Sequence, residues 1–308
     1  MSERFQYRAK SLINQTDYNW ISNLERYCHE HDRLSFKLEQ DYKLKSSQLG
    51  KTPKMKSDFF CYCNQMAVGY LGIAAFGGAQ PPELNGLVLP EYRRQGIFTR
   101  LFALAGSEMR EHEYDKALLL CDHASESGTA FIAKIKGRAE HAELELSLAA
   151  KSVPDLDARS IKMVKATNAD SLEIYRQDKI FRGEPDPGEI SKLDDEDRYF
   201  PESEAEKGVE IYLALLDGKP IGKIHLASAR NIGWIYGFGV KPEYRRKGYG
   251  LAIMGEAIRV LRRVGNGEIR LQVDNNNLAA FRLYHNIGFQ IDYRMNYYEW
   301  DVPQIRTI

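Results

Sequence analysis

The chain has 308 residues, 43% hydrophobic and 28% charged, a globular composition long enough for two domains with separate cores. Its 43 basic and 43 acidic residues cancel, so no global field would gather a polyanion, which argues against a nucleic-acid partner. Residues 1–8 lack the apolar stretch of a signal peptide, and no run approaches the roughly 18 apolar residues of a membrane helix. A cytoplasmic protein with no membrane partner is expected. Cys28, Cys61, Cys63 and Cys121 fit reduced core thiols, because Cys61 and Cys63 are too close in a strand to close a good disulfide and have no second pair for zinc.

In chain order, 17–48 reads as two helices separated near 29–32. A hairpin follows, with strands at 59–63 and 66–76 about a turn at Asn64–Gln65. The stretch 77–82 breaks the pattern. A short apolar strand at 84–89 runs into Pro90, then a helix over 96–112, a buried-type strand at 117–121, a helix over 127–136 and closing strands near 142–148. Residues 151–160, with Pro154 and several charges, read as a linker.

The order then repeats. A strand at 161–166 precedes a helix that Asp170 can cap, running to about 181. An acidic region follows, with ten acidic and three basic residues from Glu184 to Lys207. Facing a pocket it would favour a cationic amine; otherwise it is a solvated loop. Strands at 209–216 and 219–229 flank Asp217–Gly218, a strong hairpin signal. A strand at 234–240, an amphipathic helix over 248–264 with Leu251, Met254, Ile258 and Leu261 on one stripe, a strand at 269–273, a helix over 277–287 stopped by Gly288, and a last pair of strands within 289–301 complete the chain. The expected fold is α+β: two tandem domains, 1–150 and 161–308, each a mixed, mostly antiparallel sheet flanked by helices.

The repeat is visible at residue level. The run 89–96, Leu-Pro-Glu-Tyr-Arg-Arg-Gln-Gly, returns at 240–248 as Val-Lys-Pro-Glu-Tyr-Arg-Arg-Lys-Gly, with Pro90 and Pro242 152 residues apart. A repeat of that period is a whole domain duplicated. In the second copy Arg245, Arg246, Lys247, Gly248, Tyr249 and Gly250 lie between a strand and a helix. The amides of a first helical turn have no intrahelical partner and sit at the positive end of the helix dipole. Glycines let an anion approach them and the cations can neutralise it, so the turn suits a phosphate; alone it equally fits a solvated basic corner. A second motif follows at 277–289, Asn-Leu-Ala-Ala-Phe-Arg-Leu-Tyr-His-Asn-Ile-Gly-Phe. It places Asn277 at a helix start and Tyr284 beside a packing stripe, where a tyrosine is either core or a proton donor.

Together, P-x-x-R-R-x-G-x-G before a helix and N-x-x-A-x-x-L-Y-x-x-x-G-F resemble the GNAT superfamily of acetyl-CoA-dependent N-acyltransferases, over about 160–303. The first half resembles the same fold through 85–100, and the whole is similar to tandem GNAT proteins. The resemblance implies that acetyl-CoA is the cosubstrate, with its pyrophosphate on Arg245–Gly250 and its pantetheine arm along Phe238, Gly239 and Val240. It assigns Asn277 to the cofactor and Tyr284 to protonation of the leaving thiolate. The strand before the turn should bulge and splay, which Gly237 and Gly239 make easy.

The implied reaction is direct attack by a primary amine of a small molecule or peptide in a ternary complex of a monomer or homodimer. Tyr236, Glu210 and His225 are the candidates for its base. Gln272 stands where members acting on ribosomal-protein N-termini carry a glutamate, which counts against that activity. The first copy departs from the pattern. Phe98 replaces the second glycine and Lys134 falls where Tyr284 would, although Glu83 stands where a base could sit. It reads as degenerate. The alternatives are a non-catalytic acyl-CoA sensor and an aminoacyl-tRNA-dependent transferase; the neutral charge opposes the latter. No metal site is expected.

Overall fold

The computed structural model describes residues 4–34, 38, 40–49, 53–75, 81–149, 161–188 and 200–303. Contacts divide the chain into two units, Met1–Glu143 with Arg294–Ile308, and Leu144–Tyr293. The linker expected at 151–160 lies outside the described residues. The division differs from a simple halving at 150–161 because two long strands each contribute to both units.

The first unit runs β1 (Gln6–Lys10), α1 (Gln15–Asp32), α2 (Asp41–Gln48), β2 (Asp58–Cys63), β3 (Met66–Ala74), β4 (Glu83–Val88), α3 (Ile97–Glu111), β5 (Lys116–Asp122), α4 (Glu126–Lys134) and the start of β6 (Arg138–Ala149). Asn14 opens α1 through a capping box with Asp17. Asn64 and Gln65 take φ of 48° and 67°, the left-handed pair that a two-residue hairpin needs between β2 and β3. β1 through β4 are antiparallel neighbours, and β4 meets β5 in parallel. The other neighbour of β5 comes from the far end of the sequence: residues 295–301 of the final strand pair antiparallel with 116–122. Phe59, Leu71, Leu84, Leu101, Ala105 and Leu119 form the core under α3.

The second unit takes the end of β6, then β7 (Lys162–Lys165), α5 (Ser171–Phe181), α6 (Pro201–Glu206), β8 (Val209–Leu216), β9 (Lys219–Ala229), β10 (Ile232–Val240), α7 (Tyr249–Arg263), β11 (Glu268–Asp274), α8 (Leu278–Ile287) and the first residues of β12 (Gln290–Asp301). Its strand order is β6-β11-β10-β9-β8-β7. Asp217 and Gly218, at φ 50° and 77°, make the β8–β9 hairpin. α7 buries Ile253, Met254, Ala257, Ile258 and Leu261 against Leu226, Ile235, Ile269 and Leu271 of the sheet. Both units are therefore mixed, mostly antiparallel sheets with packed helices, as the sequence implied. The last strand is one strand of 12 residues, where two had been expected. Among the described residues no helix is long and apolar enough to cross a membrane, and all four cysteines are buried and unpaired.

Candidate active site

Two features of β10 create the site. Its parallel pairing with β11 stops at Ile235 opposite Leu271. Its antiparallel pairing with β9 is regular to Tyr236 opposite His225, then slips and resumes at Gly239 opposite Lys223. Gly237 has φ +50°, and a β-carbon built on it would lie 3.0 Å from the His225 ring. Tyr236 and Gly237 thus face the same side, which is a β-bulge. Gly237 and Phe238 fall outside the registers of both neighbours, so the strand leaves the sheet with backbone groups exposed to a partner. The distortion expected from Gly237 and Gly239 is present.

The basic turn follows. After a 3-10 turn at Pro242–Tyr244, Arg246 adopts φ 59° and Gly248 φ 87°, and α7 begins at Tyr249 with no side chain capping its first amides. Arg245 donates from Nε to the Val240 carbonyl at 2.8 Å, and Lys247 from Nζ to the Glu243 carbonyl at 2.8 Å. Among the described residues neither Arg245 nor Arg246 meets a carboxylate. A β-carbon on Gly250 would touch Leu283 at 3.4 Å.

The first unit repeats this turn nearly dihedral for dihedral, with Arg94 at φ 61° and Gly96 at φ 80°. Arg93 likewise donates to the Val88 carbonyl at 3.0 Å. Its electrostatics differ. The Arg93 guanidinium is held by both carboxylate oxygens of Asp32, at 2.9 and 2.6 Å. That pair holds the Asp32 carboxyl below its usual range. Gln95 replaces the lysine.

Asn277 is the N-cap of α8, its Oδ1 accepting from the Ala280 amide at 3.1 Å. One turn from the other end, Tyr284 is 6% exposed. Its ring lies 6.4 Å from that of Phe238 and 6.0 Å from that of Phe289. Burial pushes the phenol up to about 12, so it carries its proton at neutral pH and can donate it.

The three candidate bases separate. Glu210 pairs with Leu226, whose side chain belongs to the core beneath α7, so it lies on the opposite face from His225 and Tyr236. It is bound to Lys165 at 2.6 Å and Tyr212 at 2.7 Å. His225 accepts at Nε2 from the Lys223 ammonium at 2.9 Å, and burial, reinforced by that cation, presses it down to about 3. A ring so reluctant to protonate is a poor base for an amine. Tyr236 stacks parallel on Trp234 at 6.0 Å, and burial and the charge of Glu145 push its hydroxyl up. Glu145 is the residue that the sequence did not single out. It reaches Arg270 at 2.7 Å, beside Trp234 in the parallel register. Of the acidic stretch 184–207, residues 189–199 lie outside the described residues. In the rest, Glu184 pairs with Lys179, Asp186 with Arg176 and Glu204 with Lys207. Among the described residues no cluster of carboxylates, histidines and cysteines could hold a metal.

The first unit also splays: β4 pairs with β5 only at Glu83 and Leu84. There the gap is a cavity of about 490 Å³ lined by Asn85, Arg94, Gly96, Phe98, Phe131 and Lys134 among others. It has a turn and a volume, but no phenol on α4.

Residues 170–289 match the model of the acetyltransferase (GNAT) family. A mycothiol acetyltransferase of Streptomyces coelicolor is 25% identical over 239 residues, covering 72% of each chain. One of Renibacterium salmoninarum is 41% identical over 69 residues, 22% of this chain and 20% of that one. Two solved structures share the fold over nearly the full length. A GCN5-related N-acetyltransferase from Sphaerobacter thermophilus has a TM-score of 0.76 at 19% identity, covering 99% of this chain and 98% of that one. A tandem GNAT protein from the clavulanic acid biosynthesis pathway has a TM-score of 0.70 at 15% identity, covering 98% and 99%.

Proposed function

We propose that this chain, whose residues 170–289 match the acetyltransferase (GNAT) family model, moves an acetyl group from acetyl-CoA to a primary amine of a small molecule or peptide, and that the second unit does the work. The observation that carries the reading is the pairing of an uncapped, cation-rich turn with a buried, protonated phenol on the next helix.

Arg245, Arg246, Lys247 and the amides after Gly248 would hold the pyrophosphate, with Tyr249, Gly250 and Asn277 beside it. The free edge of Phe238–Val240 would pair with the pantetheine arm. The thioester supplies an activated acyl carbon and a thiol leaving group. Backbone N–H groups at the bulge would stabilise the carbonyl oxygen as it becomes negative, and such fixed donors are usually the largest electrostatic term in acyl transfer. Much of the remaining rate would come from holding amine and carbonyl in line. Tyr284 would give its proton to the departing sulfur. With Glu210 bound to Lys165 and Tyr212 and His225 committed to Lys223, the amine proton would leave through water beside Tyr236 and Glu145.

The cavity of the first unit favours a second reading for that unit alone, as a non-catalytic acyl-CoA-binding module. The experiment is thiol release from acetyl-CoA against amines, amino acids and aminoglycosides. In the second unit, Tyr284→Phe should lower kcat about a hundredfold. Arg246→Ala should raise the acetyl-CoA KM about ten- to a hundredfold, the scale of a lost charge-assisted contact. Arg94→Ala should leave both within about twofold. Full loss of activity from Arg94→Ala alone would move the working site to the first unit.

A further inference from the structure

The chain contains its own comparison for the bulge. In the first unit, β3 and β4 pair without a slip from Gly69 opposite Val88 to Ala74 opposite Glu83, and Gly72 faces Asn85. By the repeat, β9 corresponds to β3 and β10 to β4, and the glycine-asparagine pair is replaced by His225 and Gly237. Only the strand that faces a histidine is bulged. The His225 ring fills the space beneath Gly237, 3.0 Å from where a side chain there would begin.

The ring does not stand alone. Lys223, two residues earlier on the same face, is 1% exposed and bonds both the Asp178 carboxylate at 2.8 Å and Nε2 of His225 at 2.9 Å. An ammonium can only donate, so Nε2 accepts and the ring is the neutral tautomer with its proton on Nδ1. Asp178 sits on α5. The same helix sends Glu173 to Lys241 at 2.7 Å, just past the end of β10, and lays Phe181 on Gly239, so besides holding Lys223 on β9 it meets the splayed end of β10 at two places.

We propose that Asp178, Lys223 and His225 are positioning residues: a polar chain from α5, buried at Lys223 and more open at Asp178, that props the β10 bulge, and so aims the backbone donors of Gly237 and Phe238 at the acyl carbonyl. None of the three touches substrate. The inference rests on the acyl-transfer reading for its kinetic consequence, but not for its structural one. With the prop removed, β10 can slip back into the continuous register that β4 adopts, and the donors are spent on β9.

The test is amide hydrogen exchange at Gly237 and Phe238, with steady-state kinetics, on the full chain. In His225→Gly, which repeats the small residue of the first unit, protection of both amides should rise about tenfold or more. In the same variant kcat should fall about ten- to a hundredfold, with the acetyl-CoA KM within about threefold. Lys223→Met should act in the same direction, and Lys223→Arg, which keeps a donor to both partners, should recover most of kcat. Asp178→Asn, at the more exposed end of the chain, serves if either core variant fails to fold. Unchanged exchange at the two amides in a folded variant overturns the proposal, as does a kcat loss that Lys223→Arg does not relieve. A wild-type chain that transfers no acyl group to any amine would sink the functional reading, while the exchange measurement would still decide whether the prop exists.

Discussion

A phenol between two aromatic rings and a histidine beneath a strand are both kept neutral by burial, with opposite consequences for pH. The Tyr284 proton is secure well past neutrality, because its folded value is raised to about 12. His225 runs the other way. Its folded value is depressed from 6.5 to about 3, chiefly by burial and then by Lys223. Between these values the unfolded chain binds a proton that the folded chain refuses, so stability is present above pH 6.5 and is lost as pH falls toward 3. Lys223 faces the ring, and Asp178 and Arg182 in turn act on Lys223. We expect denaturant unfolding midpoints to drop more steeply from pH 6.5 to 4.5 in the wild-type chain than in His225→Gln. Parallel curves would show that the ring is not the group responsible.

At this scale the residues of the turn, Asn277 and Tyr284 were legible because each belongs to a short continuous motif whose spacing fixes its place on a helix. Glu145 was not. Its partner Arg270 is 125 residues away, and no local period reports such a contact. The surroundings of Glu210 were hidden for a related reason: which face of β8 it occupies depends on its register with β9.

Among the elements, β10 and α5 carry the account. Gly239 presents bare backbone to Phe181, and a β-carbon there would lie 2.2 Å from the ring. Gly239→Ala must therefore displace α5 or the strand, at a cost of about 1–3 kcal/mol for overpacking. We expect urea titration to show that loss, and Gly239→Ala with Phe181→Ala to be less destabilised than the sum of the two single changes. Strict additivity would mean that the ring does not bear on the strand. Hairpin strands and amphipathic helices were read from sequence with small boundary errors, because turns such as Asp217–Gly218 and stripes such as that of α7 are local. β1 was missed. Its five residues are mostly exposed and acquire strand character only by pairing with β2. β12 was split in two because its length is set by a partner, β5, more than 160 residues earlier.

For the whole molecule, the duplication explains the likeness of the two units and frames the proposed division of labour between them. The two turns share backbone angles, so the ancestral turn geometry persists in both. The chemistry around them has separated. One turn has cations that meet backbone carbonyls but, among the described residues, no carboxylate, and it is followed by a phenol. The other gives Arg93 to Asp32 and is followed by Lys134 beside an open cavity. The repeat period was plain in the sequence. The exchange of long strands at the unit boundary was not, because both β6 and the final strand read locally as ordinary closing strands. The central claim is that a nucleotide thioester lies on the second unit's turn with its sulfur toward Tyr284. A crystal structure of the full chain grown with acetyl-CoA tests it most directly. We predict pyrophosphate oxygens within hydrogen-bond distance, about 3 Å, of the amides after Gly248, and the thioester sulfur at similar range of the Tyr284 hydroxyl. A pyrophosphate bound only at Arg94–Gly96, with the Phe238–Tyr284 contact closed and empty of ligand, would contradict the account.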